Sequence, residues 1–284
     1  MSFCGDCGNK LNSDEKFCGN CGAKLSKDFV AEVNESKKVT LKREKKFEST
    51  NDKSKTIMNK FFDAESAVNY EQKSLCVLLL DVSFSMEGAR IKSLQAGIEA
   101  FHKEIMEDQT SRNRLEIAVL SYGQNVEVLQ QPALVDDFKM PELETTGSTS
   151  MGKGIDEAIE IVEARKSWYK MTGQPYYRPW IINITDGEPT DIPNIELKGN
   201  EIRSNIENKN FFFFNVGVED AAMSTLEKLS SEQMPPAKLD GLKFAEFFQW
   251  LSASIQIVAA SIDTETESVN LPSPSNWMEG FKIN

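Results

Sequence analysis

Apolar residues run without interruption from Leu75 to Leu80. A run of strand length with no alternation predicts a strand buried on both faces, as parallel strands covered by helices are. From Lys73 onward strand-like and helix-like patterns then alternate. Leu94, Ile98, Phe101 and Ile105 recur at helical spacing, and Ile155, Ala158, Ile159 and Val162 mark a second amphipathic helix. Arg114–Tyr122 and Asn125–Gln130 read as strands joined in a hairpin through Gly123–Gln124, and Trp180–Thr185 and Phe211–Val218 as further strands. A last helix near Lys243–Ser261 aligns Phe244, Phe248, Leu251 and Ile255. This order predicts an α/β domain over 73–262, a doubly wound, Rossmann-like and mainly parallel sheet flanked by helices. Residues 263–284 read as a polar C-terminal tail.

The pattern fades toward the amino terminus. Lys, Glu, Ser, Asp and Asn dominate residues 27–72, a composition that cannot repay the entropy of ordering and reads as a charged, flexible linker. Ile57–Val68 is the one stretch there with enough apolar residues for a short docking helix. Residues 1–26 contain a repeat: CGDCGNKL at Cys4–Leu11 returns as CGNCGAKL at Cys18–Leu25. Cys4, Cys7, Cys18 and Cys21 thus form two CxxC knuckles, which favour tetrahedral zinc over a disulfide pair or a redox CxxC. A segment this short needs metal binding to fold. It resembles the zinc-ribbon family, whose members bind nucleic acid or protein, or act as stable knobs.

Charge sharpens this division. The net charge of −12 hides a basic segment, with eight Lys or Arg against three Asp or Glu from Lys37 to Lys55. From Thr56 onward 20 basic residues face 35 acidic ones, so an acidic body carries a basic arm. The cluster Lys37, Lys38, Lys42, Arg43, Lys45 and Lys46 could touch phosphates, but no aromatic residues interleave with it, so a solvated linker is the better reading. Residues 1–25 lack the apolar core of a secretory signal, and no apolar run reaches the roughly 18 residues of a membrane span. The expectation is a soluble cytoplasmic protein.

Candidate chemistry collects where strands end. Asp81, Ser83 and Ser85 follow the first strand at alternate positions and so share a side if the backbone stays extended. Thr149 stands in GSTSMGKG before a helix, and Asp186 follows the Trp180–Thr185 strand in TDGEPTD. In a doubly wound sheet such loops meet along one edge. Two carboxylates and three hydroxyls there would form an oxygen-only, partly open site suited to Mg²⁺ or Mn²⁺. Glu188 and Asp191 read as solvated loop acids or as supports for those ligands. His102 reads as a boundary residue beside a helix stripe, and Cys76 as a core thiol.

DVSFSM, Thr149 in GSTSMG and the later TDG resemble the DxSxS…T…D metal-ion-dependent adhesion site of von Willebrand factor type A (vWA) domains, over about two-thirds of the chain. The resemblance implies Ser83, Ser85 and Thr149 as direct Mg²⁺ ligands, Asp81 and Asp186 as anionic supports, and a partner's acidic side chain as the completing ligand. TDGEPTD and LDGLKFAEFFQWLSASIQ are further similar to the tellurite-resistance, TerY-type bacterial vWA proteins. That likeness implies a scaffold working beside a kinase and a phosphatase in bacterial stress response or defence. Two positions depart from the pattern: Phe84 replaces a glycine between the serines, and Ser148 a glycine before the threonine.

Enzyme classes fit less well. Hydrolysis at a metal needs a placed base or nucleophile, and the sequence offers neither a suitable histidine nor a GxxxxGK[ST] loop. A phosphatase using paired aspartates would require Asp where Ser83 stands. The expectation is a non-catalytic protein-interaction module. A nucleic-acid adaptor using residues 1–55 is the alternative, and a metal-dependent hydrolase the third class.

Overall fold

Strand β3 (Ser74–Asp81) lies at the centre of the larger unit and is buried along its whole length. Its alternate side chains feed two cores. Cys76, Leu78 and Leu80 face one, while Leu75, Val77 and Leu79 face the other. The computed structural model describes residues 2–3, 10–11, 69–260 and 271–279. The chain divides into units at residues 1–53 and 54–284. In the first, β1 (Ser2–Phe3) pairs antiparallel with β2 (Lys10–Leu11). Cys4, Cys7, Cys18 and Cys21, the basic arm and the Ile57–Val68 segment lie outside the described residues.

The larger unit follows β3 with α1 (Ala89–Glu107), α2 (Gln109–Arg114), β4 (Leu115–Tyr122) and β5 (Val126–Leu134). Next come α3 (Met151–Thr172), β6 (Trp180–Thr185), α4 (Ile195–Glu207), β7 (Phe212–Gly217), α5 (Met223–Lys228), β8 (Ala237–Lys238) and α6 (Phe244–Ala260). The sheet order is β5–β4–β3–β6–β7–β8, parallel except for β5, which pairs antiparallel with β4 as the hairpin pattern predicts. α1 and α6 cover one face, and α3, α4 and α5 the other. Burial on both faces is why the central strands read as continuous apolar runs. Among the described residues no helix is long and apolar enough to cross a membrane.

Two buried polar networks run through this unit. Tyr122 donates its hydroxyl to Asn183 Oδ1 at 2.8 Å, Asn183 Nδ2 donates to Asn215 Oδ1 at 2.8 Å, and Asn215 Nδ2 to Ser230 Oγ at 2.9 Å. Near the amino end of β4, Glu116 accepts two hydrogen bonds of 2.7 Å from Arg165 of α3 and one of 2.6 Å from Tyr169.

Part of the expected polar tail belongs to the fold. Leu239 bridges to Met278, Asp240 N–H donates to the Trp277 carbonyl at 2.7 Å, and Glu279 N–H to the Lys238 carbonyl at 2.8 Å. Residues 271–279 therefore strap the short edge strand β8, whose open backbone would otherwise invite pairing with another chain. The Trp277 indole is buried, 5.0 Å from the Phe247 ring and 5.2 Å from that of Trp250. Its Nε1–H finds no acceptor among the described residues, so the ring acts through packing alone. Trp277→Ala is expected to lower stability by about 3–5 kcal/mol. Trp277→Phe, which surrenders no hydrogen bond, should cost clearly less; urea unfolding of both variants checks this.

Candidate metal centre

The sheet order places a topological switch beside β3. From β3 the chain moves to β4 on one side, and β6 fills the other. Ligand sites form outside the carboxyl ends of the two strands at such a point. Asp81 is the last residue of β3 and is fully buried. Its Oδ1 accepts from Ser83 N–H at 2.8 Å, which bends the chain into a 3₁₀ turn at Phe84–Met86. Its Oδ2 accepts from Thr185 Oγ1 at 2.5 Å.

The hydroxyls continue the connection. Ser83 Oγ and Ser85 Oγ lie 2.9 Å apart, and Ser85 Oγ donates to Asp186 Oδ1 at 2.6 Å. Thr149 arrives from the turn that starts α3. Its carbonyl accepts from Thr190 N–H at 2.9 Å and from Thr190 Oγ1 at 3.1 Å, which ties that turn to the loop after β6. Gly187 fixes the relation between the three loops. A β-carbon there would lie 3.3 Å from Thr149 Oγ1, 3.6 Å from Asp81 Oδ2 and 3.7 Å from Ser85 Oγ. The sequence leaves room, by omitting one side chain, at the point where oxygens from the two other loops converge.

All five sequence candidates are thus brought together. Burial pushes the Asp81 carboxyl up to about 6, against the hydrogen bonds from Ser83 and Thr185 that favour its charged form, and the negative charge of Asp186 adds to the rise. A cation at the centre would relieve this burden. Among the described residues no group of three or more His, Cys, Asp or Glu side chains gathers, so a metal here would depend on hydroxyl oxygens. Such a donor set suits a hard ion. Phe84 is 64% exposed, while its N–H donates to the Gly147 carbonyl at 3.2 Å. Ser148 is exposed as well.

Several neighbours carry no obvious motif. Thr185 holds Asp81, as described above. Asp191, far from being a solvated acid, accepts from Gly152 N–H at 2.8 Å and Lys153 N–H at 2.9 Å. It therefore caps the free amides at the start of α3 and steadies the turn that carries Thr149. Glu188 is exposed. Arg90, in the first turn of α1, donates from Nη1 to Asp186 Oδ2 at 2.6 Å and to the Ser85 carbonyl at 2.7 Å. Its Nε bonds Glu219, and Nη2 stands 3.6 Å from Asp220. A cation in the first turn opposes the helix dipole, and no acidic residue offsets it there. That mismatch is the sequence signal that could have found it.

The remaining candidates are structural. His102 Nε2 lies 3.2 Å from the Val135 carbonyl, and its ring packs on Phe138 with centroids 5.1 Å apart. Cys76 is buried in β3, where desolvation pushes its thiol up to about 12.

Comparison with known proteins agrees with the fold. The family model of the von Willebrand factor type A domain matches residues 76–240, and that of the zinc-ribbon domain residues 3–25. Among solved structures, the pilus adhesin SpaC from Lactobacillus rhamnosus GG is 11% identical with a TM-score of 0.53, over 68% of this chain and 32% of its own. The vWF domain of the type V pili tip protein Mfa5 from Porphyromonas gingivalis is 13% identical with a TM-score of 0.48, over 69% and 99%. Proximal thread matrix protein 1 from the mussel byssus is 13% identical with a TM-score of 0.45, over 66% and 47%, so this chain spans about half of that one. At such identities the likeness concerns fold alone. No functionally curated protein matches the chain. Carrying the family's domain over more than half its length, the chain belongs to the von Willebrand factor type A domain family.

Proposed function

We propose that the protein is a cytoplasmic interaction scaffold that captures an acidic side chain of a protein partner through a divalent ion, Mg²⁺ or Mn²⁺. The observation that carries this reading is the convergence of Asp81, Ser85 and Thr149 oxygens around the bare face of Gly187, with Ser83 and Asp186 joined to them. Ser83, Ser85 and Thr149 would hold the ion, and Asp81 and Asp186 would balance its charge. The ion supplies an open coordination position for an outside oxygen. Ser85 is exposed and Asp81 buried, so the site opens on one side only. Family membership supports protein interaction, and the SpaC neighbour, an adhesin, is consistent with it.

Cys4, Cys7, Cys18 and Cys21 would hold Zn²⁺ in the ribbon, a tethered second contact that raises effective concentration for a partner. Similarity of TDGEPTD and LDGLKFAEFFQWLSASIQ to the TerY type supports partners of the kinase and phosphatase kind, in a bacterial stress or defence system. Binding of the full chain to an array of Asp- and Glu-containing peptides is the test. Signal is expected in Mg²⁺, with loss in EDTA and in Ser83→Ala combined with Thr149→Ala. Binding that ignores both changes would sink the reading.

A further inference from the structure

Arg90 is bonded to two residues of the candidate metal site, Asp186 and Ser85. Its guanidinium takes one oxygen of Asp186 at 2.6 Å, while the other accepts from Ser85 Oγ at 2.6 Å, so both oxygens of that carboxylate are engaged. Asp186 has no solvent-exposed side-chain surface, whereas Arg90 retains 24% exposure. Glu219 and Asp220, from the loop after β7, hold the arginine at the same time through Nε and Nη2, so it keeps carboxylate partners if Nη1 leaves Asp186. A Lys or Arg so near a divalent site opposes the ion by charge and by occupying a donor. The helix dipole gives Arg90 no reason to stand in the first turn of α1, so its place follows from these acids.

We infer that Arg90 is a tethered counter-cation that competes with the divalent ion for Asp186 and sets the affinity of the site. The inference rests on the metal reading above. With the ion absent, the arginine neutralises Asp186 and joins the loops after β3, β6 and β7. With the ion bound, it is released toward Glu219 and Asp220, so the loop after β7 registers occupancy.

Calorimetric titration of the full chain with MgCl₂ and MnCl₂ tests this. Arg90→Gln is expected to bind at least about tenfold more tightly than the parent. Arg112→Gln removes the same charge from the opposite end of the sheet, where Arg112 pairs with Asp136 at 2.8 Å, and should change affinity less than about twofold. If Gln at position 90 unfolds the domain in EDTA, Arg90→Lys, which keeps the charge without the fork, should fall between parent and tenfold. Equal or weaker affinity in a folded position-90 variant overturns the competition and leaves the metal site standing. Absence of binding in parent and variant overturns both. Binding in the variant but not in the parent supports the competition in its strongest form.

Discussion

Glu116→Ala should lower the stability of the vWA domain by about 3–5 kcal/mol, the cost of leaving one member of a buried ion pair without its partner. Glu116 and Arg165 are 1% and 2% exposed, and both carboxylate oxygens take guanidinium hydrogen bonds of 2.7 Å. Arg165 also lies over the Trp168 ring at 4.1 Å, and Tyr169 donates its hydroxyl to the same carboxylate. Truncation removes both of those bonds from the guanidinium and takes the acceptor from a buried phenol. For a domain near 200 residues this corresponds to a fall in Tm of about 6–20 °C. Replacing both Glu116 and Arg165 by methionine should be far milder than either single change, because a packed apolar pair carries no desolvation cost. Equal damage from the double and single variants would show that geometry, not charge, makes the pair important. α3 begins beside Thr149, so the pair anchors the helix that presents one site residue.

Asp81→Ala should abolish divalent-ion binding and every effect that follows from it. Asp81 stands at the switch point, buried and held by Ser83 and Thr185, and no other described carboxylate reaches those two groups. The variant separates two roles. In EDTA it should unfold close to the parent, because a buried carboxylate whose charged form is disfavoured adds little. In Mg²⁺ at about one hundred times its Kd, the parent should gain about 2.7 kcal/mol, or roughly 5–10 °C in Tm. The variant should gain nothing. A parent whose Tm ignores Mg²⁺, measured by differential scanning fluorimetry, would remove the site from consideration.

The legible parts of this molecule were those in which one segment carries its own signal. Leu75–Leu80 announced a strand buried on both faces, and the stripe Leu94, Ile98, Phe101 and Ile105 announced α1. The nearness of Asp81, Ser83, Ser85, Thr149 and Asp186 was legible because the family pattern supplies their register, although 101 positions separate Ser85 from Asp186. What escaped depends on remote partners. α4 contains Gly199 and two asparagines, poor helix formers. It forms because Ile202 and Ile206 pack into the core and because Gly199 lets the Lys228 carbonyl approach, where a β-carbon would lie 2.0 Å away. β8 is two residues long and gains meaning only from β7 and the strap. Thr185, Asp191 and Arg90 looked like ordinary strand, loop and helix residues, since their roles are set by groups that folding brings to them.

The strap over β8 has a temporal side. Residues 271–279 are synthesised after α6, so a nascent chain presents the β8 edge and the ring surface of Phe247 and Trp250 before Trp277 has emerged to cover them. During that interval the growing domain exposes an adhesive edge, as partly made domains do. Synthesis of residues 271–279, by delivering one indole and three backbone contacts, turns a sticky intermediate into a closed one.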